Sequence, residues 1–177
     1  MLVQTGYERL DVIPAHLSYH NFDVHLSDRK RPTERLLMMS ASLREKYDVL
    51  FMDCPPGISL LSQNVLRAAD AVIVPMVPSP LSVRMLTQLR VFIRDEGWSD
   101  IVVLPFFSMV DRRKALHHSV IESVRTHVLS MLATEINYAS EIERMTVRRA
   151  PLPAYAPKSA EGLMYSALWS ESRGASA

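Results

Sequence analysis

The sequence predicts an α/β protein, a doubly wound and mostly parallel sheet with helices on both faces. Three observations carry that expectation. Four short apolar runs, Leu10 to Pro14, Val49 to Met52, Ala71 to Val77 and Ile101 to Phe107, have the continuous hydrophobicity of strands buried on both sides. Amphipathic helical patterns lie between them, as parallel neighbours require crossovers. The connections are short, with no internal repeat and no linker, so the 177 residues are expected to form one domain with a frayed tail at 170–177.

The helices follow from caps and spacing. Thr33 can cap a helix with Glu34 in its first turn, after which Leu36, Met39, Leu43 and Tyr47 recur at three and four residues and predict a face packed on the sheet. Ser79 is a candidate cap for the next helix and Pro80 suits its first position. Met85, Leu89 and Phe92 form its stripe, and Gly97 ends it. Leu116, Val120, Val124 and Val128 predict a long amphipathic helix. A short strand at Thr134 to Asn137, a helix near Ser140 to Met145, a proline-rich stretch Pro151 to Pro157 and a last helix from Ser159 to Trp169 complete the chain. Met38, Met39, Met52 and Met85 read as core filling.

Composition excludes several classes. With 48% hydrophobic and 22% charged residues the chain is ordinary globular material, and a formal charge of +1 gives no global field, so an anionic partner has to be held by a local basic cluster. The single cysteine, Cys54, makes no internal disulfide and no metal spacing, which fits a reducing, cytoplasmic setting. No apolar run has the length of a signal peptide or a membrane span. None of the five glycines stands in a G-x-x-x-x-G-K-[ST] arrangement, so the sequence holds no phosphate-cradling loop.

Ligands of doubly wound sheets bind beyond the carboxyl ends of the strands, which directs attention to Asp53 to Ser59, Pro75 to Pro80 and Ser108 to Lys114. Asp53 closes an apolar run and is followed by Cys54-Pro55-Pro56-Gly57. A carboxylate there can organise Mg²⁺ and its waters, and an ordinary aspartate in a proline-rich turn fits this segment equally well.

The string Tyr47-Asp48-Val49-Leu50-Phe51-Met52-Asp53-Cys54-Pro55-Pro56, continued by Leu60-Leu61-Ser62-Gln63-Asn64-Val65-Leu66-Arg67-Ala68-Ala69-Asp70 and Ala71 to Pro75, resembles the ParA/MinD family of P-loop ATPases. Leu10-Asp11-Val12-Ile13-Pro14-Ala15 and Pro157-Lys158-Ser159 are similar to two further segments of that family, so the resemblance spans nearly the whole chain. It implies an incomplete P-loop NTPase fold and, for the parent protein, ATP and Mg²⁺ as cofactors. It also implies an ATP-dependent homodimer, nonspecific DNA binding of a nucleoid-associated kind, and a ParB-like or cargo-adaptor protein that stimulates hydrolysis. Carried over, Asp53 would be the Walker B carboxylate that meets Mg²⁺ through water, and Pro55, Pro56 and Gly57 would belong to a switch loop. Met109, Asp111 and Arg112 would lie around the adenine, and Pro151 alone carries over from the family's segment near the base.

The family's Walker A segment is not in the sequence, and without its lysine and hydroxyl this chain by itself is expected not to hydrolyse ATP, since that reaction depends on positioning and electrostatics. A truncated or partial ATPase is one reading. The other is a nucleotide-independent module that binds a partner or a complete homologue.

Arg112-Arg113-Lys114 and the group Arg144, Arg148, Arg149 and Lys158 are candidates for DNA phosphates, the resemblance favouring the second group; solvated helix ends account for them too. The tail Ser170 to Ala177 has no bulky apolar residues, which argues against membrane targeting, and one cysteine does not build an iron–sulfur site. His16, His20 and His25 read as solvated or capping residues, and His117 and His118, adjacent on a helix, face different sides.

Overall fold

The structure is a computed structural model that describes residues 2–15, 22–54, 57–128 and 130–175. The chain divides into two compact units, 1–69 and 70–177, where the sequence predicts one domain.

In the first unit, β1 (Val3–Gln4) and β2 (Asp11–Val12) pair antiparallel. The Thr5 hydroxyl accepts from the Tyr7 N–H and donates to the Leu10 carbonyl, which closes the turn between them. Tyr47 donates to Asp11 Oδ2 at 2.6 Å, and that bond, with burial, raises the phenol's pKa. Three helices follow, α1 (Phe22–Ser27), α2 (Arg35–Arg44) and α3 (Leu60–Ala68). Fully buried Asn64 joins two of them: its Oδ1 accepts from the Leu36 N–H and its Nδ2 donates to Pro32 and Leu60 carbonyls. A buried amide is tolerated only with its bonds made, so Asn64 sets where α2 begins against α3. Ser59 caps α3. The cap expected from Thr33 is not formed, as α2 starts after Glu34 without a side-chain bond.

The run Leu10 to Pro14 contributes a two-residue antiparallel strand, and Val49 to Met52 forms no strand. A strand exists by exchanging backbone bonds with a neighbour, and among the described residues none lies beside 49–52; Phe51 is 71% exposed. On α2 the inward row is Leu36, Ser40 and Leu43, with Tyr47 beyond the helix, and Met39, one position round, is 61% exposed with Met38 beside it. Both lie outside the core of this unit, where core filling is expected.

The second unit holds the predicted parallel sheet, in order β3 (Ala71–Met76), β4 (Val102–Val110), β5 (Glu135–Asn137). Alternation along the strands separates two cores. Val74, Met76, Val103, Phe107 and Val110 face one side, where α4 (Pro80–Asp95) brings Val83 and Leu86 and α5 (Ala115–His127) brings Val120 and Val124. Ala71, Ile73, Leu104, Phe106 and Ile136 face the other, covered by Ile142 of α6 (Ser140–Arg148) and by Met164, Tyr165 and Leu168 of α8 (Ala160–Ala175). Burying one such side chain contributes about 1.5–3 kcal/mol. Between α6 and α8 lies α7 (Leu152–Tyr155), whose Leu152 is fully buried.

Local chemistry sets the boundaries. Ser79 caps α4 through the Ser82 N–H with Pro80 in the first turn, and Gly97 takes the left-handed conformation (φ 73°) beyond its end. The buried row of α4 is Leu86 and Ile93, with Met85 exposed, and on α5 Leu116 is exposed. Where a frayed tail is expected, α8 runs to Ala175 with Ser172 buried. The backbone entering β5 is clasped from both sides: Glu171 accepts from the Ala133 and Thr134 N–H groups, and Arg125 donates to the Ala133 carbonyl and to Glu135. Burial pulls the Glu171 carboxyl up, yet those N–H bonds and the Arg125 charge outweigh it and the group is lowered.

Candidate functional site

The carboxyl end of β4 is built to re-aim the chain. Phe107 pairs with Glu135 and Val110 with Asn137, so three steps on β4 match two on β5, and the resulting bulge puts Met109 at φ 55°. A non-glycine residue there costs on the order of 1 kcal/mol, and bulges bend a strand where a loop has to present side chains. The Tyr138 N–H donates to the Val110 carbonyl and closes the ladder beyond the bulge.

The loop that follows, residues 111–114, is held on every side. Asp111 Oδ1 accepts from the Arg113 N–H at 3.1 Å and from its Nε at 2.9 Å, while Oδ2 accepts from Nη2 at 3.0 Å. That forked pair holds the Asp111 carboxyl at about 2 and raises the Arg113 guanidinium. The Lys114 N–H closes the turn on the Asp111 carbonyl. From the start of α5, buried His117 accepts the Asp111 N–H on Nδ1 at 3.0 Å, and exposed His118 places Nε2 2.8 Å from the Arg112 carbonyl. Across from the loop, Tyr138 donates to Glu143, which raises its pKa, and Asn137 Oδ1 is buried with no partner among the described residues.

The residues expected from the sequence separate into groups. Met109, Asp111 and Arg112 are consecutive parts of this loop and its bulge. Arg112 turns away from Asp111 to Glu135 at 3.1 Å, beside Arg125, at the rim of an open concavity of about 460 Å³ floored by α8. Pro151 stands before α7 as its cap position. Asp53 and Gly57 belong to the first unit: Asp53 is exposed, and Gly57 takes φ 104°, a backbone state that favours glycine. The Asp53 charge and, more strongly, burial raise the neighbouring Cys54 thiol. Pro55 and Pro56 lie outside the described residues, as do His16 and His20. Of the basic group, Arg144 pairs with Glu141, Arg148 lies 4.7 Å over the Tyr155 ring, Arg149 ends α6 at φ 50°, and Lys158 is exposed.

Sequence reasoning missed Arg113 as the partner of Asp111, and it set His117 and His118 aside. The first was legible, because Asp-x-Arg after a strand is a turn with a built-in ion pair. The second follows from helix geometry, in which first-turn side chains lean back toward the preceding loop.

A parallel sheet covered on both faces, with its loops gathered beyond the strand ends, defines an α/β protein of the doubly wound kind, in which ligands bind beyond the carboxyl ends of the strands. Known proteins make the class specific. Residues 1–96 match a family model described as an AAA domain. The chromosome partitioning protein ParA of Caulobacter vibrioides is 34% identical over 134 residues, 71% of this chain and 49% of that protein. Cobyrinic acid a,c-diamide synthase from Mycobacterium smegmatis, solved with an ATP analogue and magnesium, aligns at 28% identity and TM-score 0.68 over 78% of this chain and 59% of its own. A Borrelia burgdorferi protein assigned to plasmid partition and bound to AMPPNP shares the fold at TM-score 0.83 and 19% identity, over 98% of this chain and 67% of its own. The chain belongs to the AAA-domain family of ParA/MinD-type P-loop ATPases, and its relatives include chromosome partitioning proteins. It spans about half the length of the curated relatives it matches. No helix among the described residues is long and apolar enough to cross a membrane.

Proposed function

We propose that this chain serves a ParA-like ATPase of DNA partitioning or intracellular cargo positioning, with ATP hydrolysis belonging to a protein that also carries a Walker A loop. The observation that carries the reading is the family-like string from Tyr47 to Pro75, which includes Asp53. Asp53 is an exposed carboxylate with no ion pair among the described residues, which fits a Mg²⁺ held mainly through water and phosphate. No group of three His, Cys, Asp or Glu among the described residues forms a metal cage, so the fit is to a metal that arrives with its nucleotide. When bound, Mg²⁺ and ATP would supply the charge neutralisation and the transferable phosphoryl group. Within the first unit Asp53 would orient the ion; within the second, taken by itself, the Met109–Arg112 loop and Pro151 would be the residues offered to the base. Gly57, with Pro55 and Pro56, would give the switch segment its turn.

In the whole protein the same reading includes an ATP-dependent homodimer, nonspecific DNA binding through Arg144, Arg148, Arg149 and Lys158, and a ParB-like or adaptor partner that stimulates hydrolysis. Arg149 and Lys158 support the DNA assignment because neither makes an ion pair among the described residues. The test compares ATP turnover of Asp53→Ala with wild type in protein that carries a Walker A segment. Loss of about a hundredfold is expected, and unchanged turnover refutes the assignment. The absence of a G-x-x-x-x-G-K-[ST] sequence from the chain favours, as second reading, a module that binds a partner without nucleotide. Failure of the whole protein to bind ATP, with partner capture retained, would establish that reading instead.

A further inference from the structure

We propose that His117 and His118 act together as positioning residues for the loop Asp111–Lys114, fixing its backbone from opposite sides so that it presents one face to the base of a bound nucleotide. The inference rests on reading that loop as nucleotide-facing. Helix α5 starts after Lys114 without any side-chain cap, so its first turn is free of the usual capping arrangement. In its place the third and fourth residues of the helix reach back over the loop. Adjacent helical positions diverge by about 100°, which sends the two rings to different sides of the same short backbone segment.

Their partners assign the chemistry of each ring. His117 meets an N–H, so its Nδ1 is a bare acceptor; His118 meets a carbonyl, so its Nε2 carries the hydrogen. One ring fixes the amide of Asp111 and the other the carbonyl of Arg112, the first two residues of the loop that follows the bulge at Met109. The ion pair of Asp111 with Arg113 locks the side chains but leaves these two backbone groups to be satisfied elsewhere. Without the clasp the loop would still carry its charges, no longer in one orientation.

The two roles differ in which ring atom is used, and that makes them separable by substitution. Asparagine places an amide oxygen where Nδ1 of histidine stands, and glutamine places an amide nitrogen where Nε2 stands. His117→Asn and His118→Gln should therefore preserve the loop, whereas the exchanged pair, His117→Gln and His118→Asn, and the leucine variants should not. Amide hydrogen exchange by NMR is expected to show Asp111 about tenfold less protected in His117→Leu and near wild type in His117→Asn. Affinity of the whole protein for ATP and ADP is expected to fall about five- to tenfold in the leucine variants and return in His117→Asn and His118→Gln, with inorganic tripolyphosphate binding unchanged. His118 is exposed, so its variants report even where the buried site at 117 tolerates none. Equal behaviour of asparagine and glutamine at both positions, or full Asp111 protection in His117→Leu, overturns the positioning role. Wild-type protein that binds no adenine nucleotide overturns the functional reading and this role with it, whereas binding without the substitution pattern overturns this role alone.

Discussion

Gly162 lies in the first turn of α8, where a methyl group would meet backbone. A Cβ at this position would stand 2.7 Å from the Ala156 carbonyl oxygen, 3.2 Å from Ser159 Oγ and 3.3 Å from the Pro157 carbonyl oxygen. Two effects oppose each other in Gly162→Ala. Alanine gains about 0.5–1 kcal/mol of helix propensity, with less of it realised in a first turn. Overpacking against rigid backbone costs about 1–3 kcal/mol. The shift would also loosen the bonds from the Gly162 N–H to Ser159 Oγ and from that hydroxyl to the Ala156 carbonyl, on the order of 1 kcal/mol more. Destabilisation of about 1–3 kcal/mol is the expected balance. Gly174, at the other end of the same helix, has nothing within 4 Å of its would-be Cβ, so Gly174→Ala should be neutral or stabilising by up to about 0.5–1 kcal/mol. Urea unfolding followed by far-ultraviolet circular dichroism, with the two variants run beside wild type, reads the difference as a shift in midpoint at constant slope. A Gly162→Ala midpoint at or above wild type refutes the close approach.

Phe107 is completely buried between β3, α4 and α5, and Phe107→Ala should cost about 3–5 kcal/mol in denaturant unfolding; a loss below about 1.5 kcal/mol would show that the core collapses around the gap. Asn137 buries an oxygen with no partner among the described residues, so Asn137→Leu should raise thermal stability by about 1 kcal/mol in the absence of ligand, and a lowered melting temperature would mean that the oxygen is bonded. The Asp111 carboxyl lies at about 2, below its ordinary value of 3.8, so its stabilising contribution is fully present above pH 4 and lost as pH falls toward 2. The stability difference between wild type and Asp111→Asn should shrink over that interval, and a difference constant with pH rules out the ion pair as its source. Duplex DNA affinity of the whole protein with ATP should fall steeply between 50 and 300 mM salt, in line with about one counterion per phosphate contact, and a flat response removes the basic group from the interface.

The sheet was readable where the sequence states its neighbours. Ala71 to Met76 and Val102 to Val110 are long enough, and apolar enough on both faces, that their backbones need neighbouring strands in a buried setting, and they pair with each other. Ser79, Pro80 and Gly97 mark the ends of α4 by local chemistry that needs no tertiary partner. Val49 to Met52 shows the limit of the same reasoning, because an apolar run specifies a strand only with another strand to receive it. Helix faces failed by a single position at Met39 and Met85, since spacings of three and four define a stripe while the packing partner chooses its centre. At the site, Asp111 was visible as a strand-end carboxylate. The bulge at Met109 and the reach of His117 and His118 were not, because they depend on register and on the direction in which a first helical turn leans.

The clasp of Glu171 and Arg125 on the backbone entering β5 protects a short stretch of the sheet's margin. The Ala133 and Thr134 N–H groups and the Ala133 carbonyl, just before β5, are already taken by charged side chains, the kind of obstruction that keeps sheet margins from recruiting foreign chains. At the opposite margin β3 is paired on one side only among the described residues. β5 is an edge strand as well, and a chain added beside it would first have to displace charged groups from residues 133 and 134, so that edge is defended where it begins.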